Sequence, residues 1–434
     1  MSKEILIHVA EGERRVAIIE GGQLDDFHIE LDHHNSILGN IYKGKVESIL
    51  PSINGAFVNI GLEKNGFLYL TDTVNPLIEE EFSAPRRFFD KILGGEQRKH
   101  KGHRSAETIP LNKGDEILVQ VVKEPFGTKG ARLTTHISLA GRFVVFMPYD
   151  KQAGISKKIE NEEERKRLRE VLDELNFTSS GGFIVRTASL NKGKRELVRD
   201  GKFLYNLWQK VKGKAEEKPA ATLIYKEYDL IWRIVRDYLR EDVDKLLIDS
   251  EKDFQNLQQF VSNLIGKDMV DKIHLYRGTT PLFDMKNISD ELNKIYDAKV
   301  YLKSGAYFVI EITEGLTVVD VNSGRFKSAS LSPEDAAFQV NMDAASEIAR
   351  HLRLRDLGGI IVIDFIDMIK EMHKRQVIAA LKKALAKDPS KTEVTRISQL
   401  GLVEMTRART GKTIESISFR DCPYCEGRGK VRVD

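Results

Sequence analysis

Cysteine is nearly missing from this sequence: 434 residues contain two, Cys422 and Cys425, both close to the end. That excludes a disulfide-stapled scaffold and leaves the pair a metal or redox role. Long hydrophobic runs are missing too. No apolar stretch approaches the roughly 20 residues of a membrane span, and Met1-Ser2-Lys3-Glu4 leads into a short apolar strand rather than a signal peptide. A cytoplasmic chain is expected. Nor is there an excess of one charge. Lys and Arg number 68 against 65 Asp and Glu, a net charge of +3. A chain that coats nucleic acid over a whole domain would be more basic, so any such site has to be a local patch. What remains is a charge-rich composition, 41% hydrophobic and 31% charged. The chain is long enough for roughly three to four domains.

The run Gly358 to Met368 organises the rest. Its consecutive β-branched residues, Ile360 to Ile363, read as a strand buried on both faces that delivers Asp364 to its carboxyl end. Open α/β sheets keep their chemistry at that end. A second run, Leu316 to Gly324, carries Asp320, with Asn322 two residues on and therefore on the same strand face. Two carboxylates at one rim suit Mg²⁺, which takes oxygen ligands and keeps several waters. Alternatively, each acid caps a turn or helix. Asn322 can orient a water, or serve as the turn residue of Asn322-Ser323-Gly324. Asp367 directly precedes a long helix and reads as its N-cap. With a metal at the acids, water attack on a phosphodiester leaves a 5′ phosphate and a 3′ hydroxyl. The opposite, transesterifying route needs a histidine pair, and none stands at a strand end.

In chain order, three short strands at Ile5 to Val9, Arg15 to Ile19 and Phe27 to Ile29 form a meander too small to fold alone. It is expected to join the strand and helix alternation further on, as one discontinuous domain of 1–36 plus 220–280. Gly-punctuated strands in 37–125 have the texture of a five-stranded OB barrel. They are interrupted by the basic stretch Gly94 to Glu107, read as a loop. Such barrels stack bases on strand aromatics. Phe57 and Phe67, with Lys43, Lys45 and Lys129 nearby in sequence, can do this, or both rings can pack the core. In 126–219 a strand exits into Arg186-Thr187, where a guanidinium fork beside a hydroxyl suits a terminal phosphate. A surface salt bridge is the alternative. The largest α/β unit, 281–402, carries both acids. In 403–434 the glycine-rich flanks of Cys422-Pro423-Tyr424-Cys425 suit a zinc knuckle better than a redox helix start. One chain offers half of a four-ligand site. A Cys₄ site shared by two chains across a two-fold axis is the simplest completion.

Five stretches are jointly very specific: Gly39 to Gly44, Gly127 to Thr135, Arg353 to Met368, Gly401 to Arg407, and Cys422 to Gly429. On them the chain resembles the bacterial ribonuclease E/G family over nearly its whole length, closer to the ribonuclease G branch. The resemblance implies an α/β multidomain fold. An RNase H-like domain (1–36 plus 220–280) receives an OB-fold RNA-binding domain (37–125) and a 5′-sensor domain (126–219). A deoxyribonuclease I-like catalytic domain (281–402) and a zinc-link segment (403–434) follow. It also implies a Mg²⁺-dependent endoribonuclease for single-stranded RNA, preferring a 5′ monophosphate, in rRNA processing and mRNA decay. Asp320 and Asp364 would be the Mg²⁺ ligands, with Asn322 supporting the attacking water. Phe57, Phe67 and Lys129 would hold the strand. Gly141, Val145, Arg186 and Thr187 would sense the 5′ monophosphate, with Lys391 where an arginine is usual. That lysine keeps the charge but not the fork, so looser phosphate selectivity is expected. Cys422 and Cys425 would link a homodimer through Zn²⁺, and an end so soon after Cys425 argues against a tetramer. A non-catalytic single-stranded RNA-binding relative is the alternative. Both acids and Asn322 favour the enzyme, since a pure binder gains nothing from carboxylates facing a polyanion.

Overall fold

The computed structural model describes residues 2–32, 36–73, 111–125, 129–150, 154–175, 181–313, 315–326, 331–398, 400–408, 413–420, 422–425 and 429. The expected loop at Gly94 to Glu107 lies outside them. The chain forms two compact units, one of residues 1–35, 241–255 and 272–434, the other of 36–240 and 256–271. No helix among the described residues is long and apolar enough to cross a membrane.

The first unit begins with the antiparallel meander β1 (Lys3–Ala10), β2 (Glu13–Glu20) and β3 (Gln23–Leu31). Ile5, Leu6 and Ile7 are all fully buried, so β1 must be covered on both faces and its free edge must be paired.

The second unit opens with a closed barrel of β4 (Ile41–Leu50), β5 (Gly55–Asn59), β6 (Gly66–Tyr69), β7 (Glu116–Lys123) and β8 (Arg132–Thr134). The strands are ordered β4-β5-β6-β8-β7, and a β4–β7 pairing closes the ring. Alternate strand residues such as Val46, Val58, Leu68, Val119 and Leu133 fill its interior. A four-stranded sheet follows, made of β9 (Leu139–Ala140), β10 (Val144–Met147), β11 (Gly154–Ile155) and β12 (Gly182–Val185). The helices α1 (Glu162–Leu175) and α2 (Lys194–Glu217) share its core, burying Leu168 and Leu172, and Leu197, Leu204 and Trp208. The strand β13 (Thr222–Tyr225), expected beside the N-terminal meander, instead pairs antiparallel with β4. Polar ties hold it there: Lys43 Nζ donates to the Lys218 carbonyl at 3.0 Å and the Glu227 N–H to Asn40 Oδ1 at 2.8 Å. The helix α3 (Leu230–Tyr238) belongs to the same unit.

Further on, β14 (Lys245–Ile248) pairs parallel with β1. After α4 (Glu251–Leu264), β15 (Ile273–Leu275) pairs parallel with β14. The free edge of β1 is thereby filled, giving the order β15-β14-β1-β2-β3. Two short helices, α5 (Leu282–Met285) and α6 (Ser289–Lys294), lead to a six-stranded mixed sheet. Its strands are β16 (Lys299–Tyr301), β17 (Tyr307–Ile312), β18 (Leu316–Asn322), β19 (Gly359–Asp364), β20 (Thr392–Ile397) and β21 (Leu402–Arg407), ordered β16-β17-β18-β19-β21-β20. Only β18 and β19 are parallel. Their crossover is α7 (Pro333–Leu354), begun by Ser332 as N-cap with Pro333 in the first turn. With α8 (Glu371–Leu385) it covers one face of the sheet, against Val319, Val321, Ile361 and Ile363. The other face is open, and Ile360 is 53% exposed there. The expectation that the Asp364 strand is buried on both faces is therefore corrected: a run of β-branched residues does not tell a covered face from an uncovered one. The helix α9 (Ile414–Ser418) follows the sheet.

Candidate active site

Parallel pairing places Asp320 of β18 directly beside Asp364 of β19, both on the open face and both exposed. Asn322 stands two residues along, and its Nδ2 donates to Asp320 Oδ2 at 2.9 Å. Partial burial raises the Asp364 carboxyl above its ordinary value, and the charges of Asp320 and Asp367 push the same way. A cation would relieve that concentration of negative charge, and an oxygen-only donor pair fits Mg²⁺ better than a softer metal. Among the described residues no group of three or more His, Cys, Asp or Glu is placed to hold a metal. Water and substrate oxygens would complete the shell.

Asp367 is not the N-cap expected of it. The helix α8 starts only at Glu371. Glu334 of α7 takes the preceding N–H groups, accepting from Ile369 at 2.7 Å and Lys370 at 3.0 Å, which hold its carboxyl below the usual range. Asp367 is left exposed, close enough to Asp364 to shift it. Between them the backbone of Ile366 is clamped by Asn341, a fully buried residue of α7. Asn341 Oδ1 accepts from the Ile366 N–H at 3.0 Å and Nδ2 donates to its carbonyl at 2.8 Å. Sequence reasoning missed Asn341 and Glu334. The only signal for Asn341 is a polar residue within the apolar stripe of α7, beside Val340 and Ala344.

In the second unit, Arg186 follows β12. Its Nη1 donates to the Gly141 carbonyl at 2.5 Å and pairs with Asp237 at 2.7 Å. Burial works to raise Asp237, but Arg186 and Arg236 together hold its carboxyl below the ordinary value. Thr187 Oγ1 lies 3.2 Å from Ser156 Oγ. Gly141 packs so closely on Asp200 that any Cβ there would fall 2.5 Å from the carboxylate. That carboxylate accepts from the Phe143 and Val144 N–H groups at 2.7 and 3.0 Å. Val145 is half-buried on β10, opposite Ile184. Gly141, Arg186 and Thr187 thus flank one short stretch of the sheet. Lys391 belongs to the first unit, where its Nζ pairs with Glu393 at 2.7 Å.

On the barrel, Phe57 and Phe67 are cross-strand partners, half-buried and outside the interior cluster. Their ring centroids lie 5.6 Å apart, edge to face. Tyr69 extends the row at 4.8 Å from Phe67, with the Arg132 guanidinium 4.7 Å from its ring centre. Neither Tyr69 nor Arg132 was singled out from the sequence. Lys129 is exposed just before β8.

Near the end of the chain Cys422 is exposed and Cys425 half-buried. The backbone N–H groups of Tyr424 and Cys425 lower the Cys422 thiol, and the Gly429 N–H donates to Cys425 Sγ at 3.3 Å. Amides aimed at the Cys422 sulfur favour its thiolate, the form in which a cysteine binds a soft metal.

Residues 138–410 match the Ribonuclease E/G family. Ribonuclease G of Escherichia coli (strain K12) is 42% identical over 433 residues, covering 100% of this chain and 85% of that protein. Ribonuclease G of Haemophilus influenzae is 42% identical over 430 residues, 99% of this chain and 84% of that protein. Ribonuclease E of Escherichia coli (strain K12) is 40% identical over 432 residues, but these make up only 39% of that longer protein. A family match over more than half the sequence, and relatives of this similarity along its whole length, leave one assignment: the chain belongs to the ribonuclease E/G family.

Proposed function

We propose that this protein is an endoribonuclease of the ribonuclease G type, cutting single-stranded RNA with Mg²⁺ to leave 5′-phosphate and 3′-hydroxyl ends. The observation that carries the reading is the direct pairing of Asp320 with Asp364 on the open face of the sheet. These two acids would hold the cation, which when bound supplies a water of lowered pKa and positive charge beside the scissile phosphate. Asn322 fixes the rotamer of Asp320 through its amide nitrogen and keeps its amide oxygen to accept from the attacking water. The Asn341 clamp holds Asp364 in register by fixing the backbone two residues beyond it.

The remaining assignments follow the same reading. The sheet β15-β14-β1-β2-β3 is the RNase H-like domain, the barrel the OB-fold RNA-binding domain, and the β9–β12 sheet the 5′ sensor. The six-stranded sheet is the deoxyribonuclease I-like catalytic domain. Phe57, Phe67 and Lys129, joined by Tyr69 and Arg132, hold the RNA strand by stacking and charge. The Arg186 fork and the Thr187 hydroxyl, framed by Gly141 and Val145, receive a 5′ monophosphate. Cys422 and Cys425 bind Zn²⁺ with the same pair from a second copy, making a homodimer.

The test is cleavage of one single-stranded RNA, carrying either a 5′ monophosphate or a 5′ hydroxyl, by wild type, Asp364→Asn and Arg186→Lys. The expected result is Mg²⁺-dependent internal cutting to 5′-phosphate ends, abolished by Asp364→Asn. Arg186→Lys should shrink the monophosphate advantage about tenfold, the loss of one charge-assisted bond. Tight binding with no Mg²⁺-dependent cutting would replace this reading with that of an RNA-binding protein.

A further inference from the structure

The open face of the six-stranded sheet carries a second feature that the acid pair does not explain. On β16 the buried residue is Val300, so Lys299 and Tyr301 point to the open face. On β17 Phe308 and Ile310 face the core, so Tyr307 and Val309 also point to the open face. Register then sets two rows across the sheet. One runs Tyr301, Tyr307, Asn322, and the next runs Lys299, Val309, Asp320, Asp364. Neighbouring strands lie roughly 5 Å apart and two residues along a strand advance roughly 7 Å. Tyr307 is therefore one strand and one row from Asp320, and Tyr301 one strand further out.

The two rings are arranged as a platform. Their centroids lie 6.0 Å apart at an interplanar angle of 54°. Lys299 Nζ stands 3.6 Å from the Tyr307 ring centre and 5.1 Å from that of Tyr301. No carboxylate among the described residues pairs with that ammonium, which leaves it able to meet a phosphate. Tyr307 is braced from below by the turn that follows β18. A Cβ on Gly324, at φ +52°, would come within 2.9 Å of the Tyr307 ring, and the neighbouring Arg325 N–H donates to the Gly305 carbonyl at 2.9 Å. The brace thus couples the platform to the strand that bears Asp320 and Asn322. Tyr301 is 70% exposed. So little of its ring is buried that packing does not account for its place there. Lys303 and Arg325, both exposed on the adjoining turns, add positive charge at the edge where a polyanion has to approach two carboxylates.

We infer that Tyr301, Tyr307 and Lys299 form a subsite for single-stranded RNA, in which a nucleobase one or two nucleotides from the scissile phosphate stacks on the exposed ring of Tyr301, with Tyr307 at its edge, while Lys299, held over the Tyr307 ring, meets a flanking phosphate. The subsite rests on the reading of this sheet face as the cutting site, and positions the strand across it without touching the reacting atoms. Stacking reads no base edge, so the subsite takes any base but requires one.

Two measurements on the full-length chain test it. In the first, a single-stranded RNA with one cut site is made with a single abasic ribose at successive positions around that site. Wild type should lose about tenfold in kcat/KM at one position, the size of one base stack. Tyr301→Ala should lose the same factor on the intact RNA and be indifferent to the abasic site there, while Tyr301→Trp restores both. In the second, 2-aminopurine placed at that position should be quenched on binding to wild type and not to Tyr301→Ala. Abasic penalties that are equal in wild type and Tyr301→Ala at every position would overturn the subsite while leaving the cutting site intact. Quenching that depends on Tyr301 in a protein that cuts no RNA would keep the subsite and remove the catalytic reading.

Discussion

Asn341 and Ile366 are joined by two hydrogen bonds, at 3.0 and 2.8 Å, that satisfy both the N–H and the carbonyl of one backbone unit. A buried side-chain amide has both groups needed to do this. The residue it fixes lies two beyond Asp364, where the chain leaves β19 and has not yet entered α8. Replacing Asn341 with Ala strands both backbone groups, and should cost about 2–4 kcal/mol of unfolding stability. It should also lower kcat for RNA more than it changes KM, because the loosened element carries an acid rather than a binding surface. Asn341→Asp keeps the acceptor but, when ionised, sets a buried negative charge against the Ile366 carbonyl, and should be at least as destabilising as Asn341→Ala in denaturant melts at pH 7.

His351 sets part of the response to acid. It is buried on α7 with its ring 5.7 Å from that of Phe308, edge to face, and its Nδ1 lies 3.2 Å from Arg355 Nε, a donor. Burial first, then the charges of Arg355 and Arg350, hold its pKa well below the ordinary value. The folded protein therefore leaves His351 neutral at pH values where the unfolded chain protonates it. The stability this contributes is complete above the unfolded value near 6.5 and is lost as pH falls below it, at up to about 1.4 kcal/mol per pH unit. Chemical unfolding at pH 7 and at pH 5 should show that slope in wild type, and a shallower one in His351→Gln. Equal slopes would assign the acid sensitivity to other groups.

Local elements were largely legible, and long-range pairing was not. Acids at the ends of β18 and β19, and Asn322 one step along, follow from period-two strands and need no tertiary knowledge. The misplacement of Asp367 has a simple cause. An N-cap reading assumes that a helix supplies its own cap, whereas here a glutamate 35 residues or more before Ile369 and Lys370 takes their N–H groups. Ending the catalytic domain at 402 and setting 403–434 apart as a zinc-link segment misses β21, whose alternation of Val403 and Met405 with Glu404 and Thr406 is that of a strand and which the sheet places between β19 and β20. Nothing local places β13 beside β4. Tyr69 and Arg132 escaped because their partnership across β6 and β8 exists only once the barrel closes.

Removal of metal tests the cysteine pair. Two thiolates per chain leave a tetrahedral site half filled, so a shared site needs one zinc for every two chains. Sedimentation velocity should show a dimer containing zinc in that ratio, and monomers after chelation. Cys422→Ser should be monomeric even with zinc present. A zinc-free dimer, or a monomer that keeps one zinc, would show that the knuckle does not join two chains.

If the barrel holds RNA as proposed, two adjacent residues separate binding from stability. Phe67 is half-buried on the outer face, its ring 5.6 Å from that of Phe57 and 4.8 Å from that of Tyr69. Leu68, the next residue, points inward and is fully buried among the interior residues. Period-two geometry therefore predicts opposite phenotypes from neighbouring alanine substitutions. Leu68→Ala should lower unfolding stability by about 2–5 kcal/mol, the cost of a core cavity. Where the variant still folds, its affinity for RNA should change little. Phe67→Ala should leave the melting curve close to wild type and weaken binding of single-stranded RNA by about 1–3 kcal/mol, the value of one stacked base. Arg132→Ala should weaken binding as well and flatten its salt dependence, since a cation beside the ring row contributes through phosphate charge. If Phe67→Ala instead unfolds the barrel and leaves RNA affinity unchanged, the aromatic row is packing, and the strand is held elsewhere.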